Sequence, residues 1–121
     1  MKNKKTIVIG ASPKPERYAY KAVTLLKRHD FPVIALGIRN GNINGIEIIK
    51  DKLPHKDIHT VTLYVGADRQ SNYYEYILSL KPKRIIFNPG TENSELLKLA
   101  QENNIETVEH CTLVMLNSGI F

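Results

Sequence analysis

The run Thr6-Ile7-Val8-Ile9-Gly10-Ala11-Ser12-Pro13-Lys14-Pro15-Glu16-Arg17 decides the fold. Its first four residues are β-branched and apolar, the composition of a buried strand. Gly10 breaks the run, and the small residues Ala11, Ser12 and Pro13 make a turn. From Arg17 to His29 apolar residues recur at three- and four-residue spacing, which predicts an amphipathic helix burying Tyr18, Ala22, Leu25 and Leu26. A strand, a tight small-residue turn and a helix form the phosphate-binding corner of a doubly wound α/β sheet. Small side chains let a ligand reach the backbone, and the helix start turns N–H groups and a positive dipole toward an anion. Lys14 and Arg17 add charge at the same corner. A plain strand-to-helix turn without ligand is the competing reading.

The dinucleotide fingerprint is missing: Ser12 and Pro15 stand where its second and third glycines would fall. Gly10-Ala11-Ser12-Pro13, with Glu16-Arg17 just after, instead resembles the first loop of the small stand-alone CoA-binding proteins. These are Rossmann-like domains similar to the CoA-binding domain of the succinyl-CoA synthetase α subunit. The resemblance runs along essentially the whole chain. Asn88-Pro89-Gly90-Thr91-Glu92-Asn93 matches the family's fourth loop, particularly in a subgroup ending with Glu109-His110-Cys111-Thr112-Leu113-Val114.

A chain of 121 residues is one domain with one core, spanning residues 1–121. At 42% hydrophobic and 24% charged it has the composition of a soluble globular protein. No apolar stretch has the length of a membrane span, and the run behind the basic start is too short for a signal peptide. A single cysteine excludes an internal disulfide framework, and together these features predict a cytoplasmic protein. The net charge of +5 is uneven. Residues 1–45 carry nine Lys and Arg against Glu16 and Asp30, a charge of +7; the remainder carries eight against ten, a charge of −2. A basic first half suits an anionic partner, either nucleic acid or a phosphorylated small molecule, or is a solvated face with no partner.

Further strands are expected at Pro32–Gly37, Thr60–Val65, Lys83–Asn88 and Glu106–Glu109. Ile46–Ile49 reads as a short extra strand or an irregular connection, and Ile38 to Gly45 as a Gly- and Asn-rich loop. A helix capped by Asp68 runs through Leu80 with Tyr73, Tyr76, Ile77 and Leu80 on one side. Another begins at Asn93 or Ser94 with Leu96, Leu97 and Ala100 inward. Cys111 to Asn117 is a short final helix or an apolar tail, and Leu113-Val114-Met115-Leu116 suits the core or an interface between copies of the chain. Alternating strands and helices imply a Rossmann-like, doubly wound parallel sheet of five strands in the order 3-2-1-4-5, with helices on both faces. Ligands bind such sheets beyond the carboxyl ends of the strands, where the order reverses. Four loops meet there: Gly10–Arg17, Gly37–Asn42, Val65–Arg69 and Asn88–Thr91, with His110-Cys111 on the same rim.

The loop after the second strand discriminates among cofactors. NAD binding places an acid there, whereas this chain has Gly37, Ile38, Arg39 and Asn40. Asp30 precedes the second strand and so falls at the wrong end of the sheet. Arg39 suits an extra phosphate on an adenosine ribose, present in CoA and in NADP. The family typically has an Asn-Pro pair near this loop, and this chain has no proline there. Elsewhere the resemblance implies that Gly10, Ala11 and Ser12 approach the phosphates, with Lys14 and Arg17 supplying charge. It implies that Val65 and Gly66, with Asn88, Pro89 and Gly90, line the pantetheine arm. Cys111, at the rim beside a helix start, is either a thiolate able to pair with the thiol of CoA or an ordinary buried cysteine. His110 lacks a nucleophile or orienting acid at a known spacing, and the His55–His59 spacing would serve a metal only on a helix. No GxSxG elbow, HExxH, CxxC or Walker lysine is present, so catalysis has little vocabulary here.

The expectation is therefore a domain that binds CoA or an acyl-CoA without catalysing a reaction. Two alternatives compete with it. An NADP-type oxidoreductase fragment shares Arg39 but lacks the glycine fingerprint. A basic nucleic-acid-binding module lacks both a recognised motif and aromatics interleaved with its Lys and Arg.

Overall fold

A computed structural model describes residues 3–121. Seven strands form one sheet: β1 (Thr6–Ile9), β2 (Val33–Leu36), β3 (Gly41–Ile43), β4 (Ile46–Ile49), β5 (Thr60–Leu63), β6 (Arg84–Phe87) and β7 (Glu106–Glu109). Their order is β3-β4-β2-β1-β5-β6-β7, and every pairing is parallel except β3 with β4. Four α-helices accompany them: α1 (Tyr18–Arg28), α2 (Tyr74–Leu80), α3 (Ser94–Glu102) and α4 (Thr112–Asn117). A 3₁₀ segment, Ala67–Tyr73, leads into α2.

The α/β Rossmann-like class matches expectation, but the five-stranded 3-2-1-4-5 order is corrected in two places. Ile46–Ile49 is a full parallel strand beside β2, with Ala35 facing Ile48 and Leu36 facing Ile49. It is set there by a hairpin with β3, in which Ile43 pairs with Ile46 across Asn44-Gly45. Both turn residues have positive φ, 48° and 94°, the mirror-image turn that Asn-Gly favours. With β4 holding the place beside β2, the strand at Thr60–Leu63 moves inward and pairs with β1. The strand order thus reverses between β1 and β5, and the loop after β5 stands at the centre of the crevice and not at its edge.

Alternation along the central strands divides the core. Ile7, Ile9, Val61, Leu63, Ile85 and Phe87 face α2 and α3, where Ile77, Leu80, Leu96 and Ala100 meet them. Val8, Ala35, Ile48 and Ile86 face α1 and α4, packing on Ala19, Val23, Leu26, Met115 and Leu116. The buried stripe of α1 is Ala19, Ala22, Val23 and Leu26. Tyr18 is not part of it: as the first helical residue it is 68% exposed. Asp68 does not cap a helix either. Gly66 occupies the cap of the 3₁₀ segment, with no side-chain cap bond. Asn93 caps α3 as expected, its Oδ1 accepting from the N–H of Glu95 and of Leu96 at 3.0 and 3.3 Å.

At the amino end of the sheet Arg84 is 7% exposed, its Nε donating to Thr60 Oγ1 at 2.7 Å and its guanidinium 4.4 Å from the Phe121 ring centre. Thr60 Oγ1 lies 2.7 Å from His59 Nδ1, so its single proton has a partner when the imidazole is neutral. Burial lowers the His59 pKa below its ordinary 6.5; Arg84, Lys4 and Lys83 act in the same direction, and Glu106 opposes them. A depressed histidine pKa means that the unfolded chain takes up its proton first as pH falls, so this contribution to stability is present above 6.5 and is lost below it. The melting temperature should therefore fall between pH 7 and 5.5, and His59→Gln should flatten that slope. An undiminished slope in the variant would show that other groups carry it.

Candidate functional site

A cavity of about 550 Å³ opens at the carboxyl ends of β1 and β5, where the strand order reverses. That size is ordinary for a small-molecule or cofactor site. The loop after β1 contributes Gly10, Ala11, Ser12, Pro13, Lys14 and Arg17, and α1 adds Tyr18 and Ala19. Ile38 and Arg39 come from the loop after β2, Tyr64, Val65 and Gly66 from the loop after β5, and Arg69, Asn72 and Tyr73 from the 3₁₀ segment. Pro89, Gly90 and Thr91 close the far side.

The first loop is set by backbone bonds. The N–H groups of Gly10 and Ala11 both donate to Leu36 O, and Lys14 N–H donates to Ser12 Oγ at 3.2 Å. Gly10 has φ +99°, and a β-carbon there would stand 2.8 Å from Tyr64 O, so only glycine lets the loops after β1 and β5 meet. Helix α1 starts at the cavity with no side-chain cap and no acidic residue in its first turn. Its first N–H groups thus remain available to a ligand. The Pro89-Gly90 turn is closed by Thr91 N–H to Asn88 O at 2.9 Å, with Gly90 at φ +91°, a type II turn.

The structure brings together Gly10, Ala11, Ser12, Lys14, Arg17, Arg39, Val65, Gly66, Pro89 and Gly90 of the expected set. Three others lie outside the cavity lining. Gly37 is buried beneath it, where a β-carbon would stand 2.3 Å from Ala11 O. Its absent side chain serves loop packing. Asn88 is 3% exposed and fully engaged: Nδ2 donates to Thr62 Oγ1 and Leu63 O at 2.7 and 2.8 Å, and Oδ1 accepts from Thr112 N–H at 2.8 Å. It staples β6 to β5 and to the start of α4. Cys111 is half-buried at the cap of α4, and its N–H donates to His110 Nδ1 at 2.8 Å. His55 and His59 share no helix, and among the described residues no three His, Cys, Asp or Glu side chains come together.

Tyr18, Ala19, Tyr64, Asn72 and Tyr73 line the cavity from outside the four loops expected there, whereas Ile38, Arg69 and Thr91 come from within those loops. Tyr18 and Ile38, 68% and 79% exposed, form an apolar rim. Tyr64 turns its ring to the cavity and buries its hydroxyl beside Thr62 and Thr112, without a hydrogen bond of ordinary geometry. Burial pushes this phenol well above its usual range, so it stays neutral. The decisive chemical feature is charge. Among the described residues Lys14, Arg17, Arg39 and Arg69 line the cavity, and no Asp or Glu does. Such a lining has the charge that complements a polyanion.

The match to a family model, described as a CoA binding domain, extends over residues 4–117. No curated protein matches the chain. Solved structures do. One uncharacterized protein shares 50% identity at a TM-score of 0.96, with 98% of each chain covered. A hypothetical protein from Pyrococcus horikoshii OT3 shares 28% identity at a TM-score of 0.86, covering 96% of this chain and 83% of that one. A Thermus thermophilus protein, 20% identical at a TM-score of 0.83 over 98% of this chain and 91% of its own, shares the fold. With the family model spanning nearly its whole length, this chain belongs to the CoA-binding domain family.

Proposed function

We propose that the crevice between β1 and β5 binds CoA or an acyl-CoA and that the domain acts as a binding protein without catalysis of its own. The observation carrying this reading is the cavity lining: four cations, no carboxylate, and a first loop of small residues at the uncapped start of α1. In this reading the diphosphate lies against Gly10, Ala11 and Ser12, with Lys14 and Arg17 beside it. Arg39 meets the phosphate on the adenosine ribose, and the absence of an acid after β2 disfavours NAD, whose ribose hydroxyls need an acceptor. The pantetheine arm runs past Val65 and Gly66 toward Pro89 and Gly90, and the phosphate-rich end draws on three of the nine Lys and Arg in the basic first half, Lys14, Arg17 and Arg39. The 3₁₀ segment adds Arg69 and Tyr73 to the arm's side of the cavity.

Native mass spectrometry of protein purified gently from cells tests the ligand class. A co-purifying mass equal to CoA or an acyl-CoA is the expected outcome. A co-purifying nicotinamide nucleotide in its place would contradict the proposal.

A further inference from the structure

Gln70 is a fully buried polar residue, 0% exposed, in the 3₁₀ segment beside the cavity. Burying an amide is costly unless all its groups are paired. Here they are. One nitrogen, Nε2, donates to Val65 O at 2.8 Å and to Thr91 O at 2.7 Å. Its oxygen, Oε1, accepts from Asn93 Nδ2 at 2.9 Å, and that same nitrogen donates to the Tyr74 hydroxyl at 2.8 Å. The Asn93 oxygen is committed to capping α3, so both amides have a single orientation that satisfies every bond. Val65 and Thr91 belong to different loops, one after β5 and one after β6, and both line the cavity. One side-chain nitrogen therefore holds two walls of the crevice within two hydrogen-bond lengths of each other. No direct backbone hydrogen bond joins Val65 to Thr91.

We infer that Gln70 is a positioning residue of the crevice: it fixes the gap between the loops after β5 and β6, and so the affinity for the ligand arm that lies against both. This rests on the CoA reading for its ligand, while the tie itself is independent of it. Gln70→Met keeps the length of the side chain and removes both donors. Gln70→Glu turns a carboxylate toward two carbonyl oxygens, and protonation gives one donor back.

The experiment titrates CoA into wild type, Gln70→Met and Ile105→Ala, the last a core variant at the amino end of β7 that destabilises without touching the crevice. The expected result is a CoA dissociation constant at least tenfold weaker in Gln70→Met and within twofold of wild type in Ile105→Ala. Equal weakening in both, or an unchanged constant in Gln70→Met, overturns the inference. Burial raises the pKa of a carboxyl at this position, so for Gln70→Glu affinity relative to wild type should recover as pH falls from 9 to 5; a flat ratio across that range also overturns it, and this variant serves if Gln70→Met does not fold. Amide hydrogen exchange separates the two claims. Faster exchange in Gln70→Met confined to residues 65–67 and 90–92 upholds the tie even if CoA fails to bind wild type, an outcome that would remove the ligand reading alone. Uniform exchange across the sheet removes the tie.

Discussion

Asn88→Ala should lose about 3–5 kcal/mol of folding stability, seen as a fall of about 10–20 °C in melting temperature. The side chain makes three short bonds inside the protein, to Thr62, Leu63 and Thr112. Truncation leaves Leu63 O and the Thr112 N–H buried without their partner, and an abandoned buried polar group costs about 1–3 kcal/mol. The Thr62 hydroxyl, which also lies 2.7 Å from Thr112 Oγ1, loses its donor as well. Asn88→Asp should be comparably damaging, because a carboxylate would face Leu63 O where an amide now donates. Chemical denaturation followed by circular dichroism gives the number. A loss under about 1 kcal/mol would mean that water or a shifted loop replaces these bonds. In whatever fraction stays folded the same variants should leave the proposed CoA affinity intact, since Asn88 does not line the cavity.

The second large effect concerns affinity. Arg17 and Arg39 both line the cavity, one from the first loop and one from the neighbouring loop after β2. A charge-assisted hydrogen bond contributes about 1–3 kcal/mol, so Arg17→Ala with Arg39→Ala together should weaken CoA binding by about 2–6 kcal/mol, between about 30-fold and 10⁴-fold. Both side chains are exposed, so stability should change little. Dephospho-CoA, which lacks the 3′-phosphate, separates the two roles. It should bind wild type and Arg39→Ala about equally while remaining sensitive to Arg17→Ala. Dephospho-CoA that distinguishes wild type from Arg39→Ala by the full margin would show that Arg39 reads some other group.

Much of this was legible in particular residues. The apolar run Thr6–Ile9 ending at Gly10 is β1 and its turn, and the Pro89-Gly90 pair makes the turn its chemistry implies. The strand order was not read correctly, although a signal for it was present. Ile43-Asn44-Gly45-Ile46 is an Asn-Gly hairpin, and recognising it promotes Ile46–Ile49 to a strand and moves Thr60–Leu63 beside β1. Tyr18 fits an apolar stripe by spacing, but a helix's first residue can turn to the cavity its own start helps to build. Gln70 and Asn88 look like ordinary polar residues in a sequence. Their roles depend on which carbonyls the tertiary fold places around them, Val65 and Thr91 in one case and Leu63 in the other. Gly37 looked like a ligand-facing glycine because both uses of glycine, ligand approach and close loop packing, leave the same letter.

Isothermal titration of the wild-type protein with CoA, NADP and NAD at one ionic strength tests the ligand assignment most directly, since phosphate recognition is salt-dependent. CoA should bind one to one and most tightly, NADP more weakly through its ribose phosphate, and NAD weakest. Equal affinities for CoA and NAD would contradict CoA binding at this crevice.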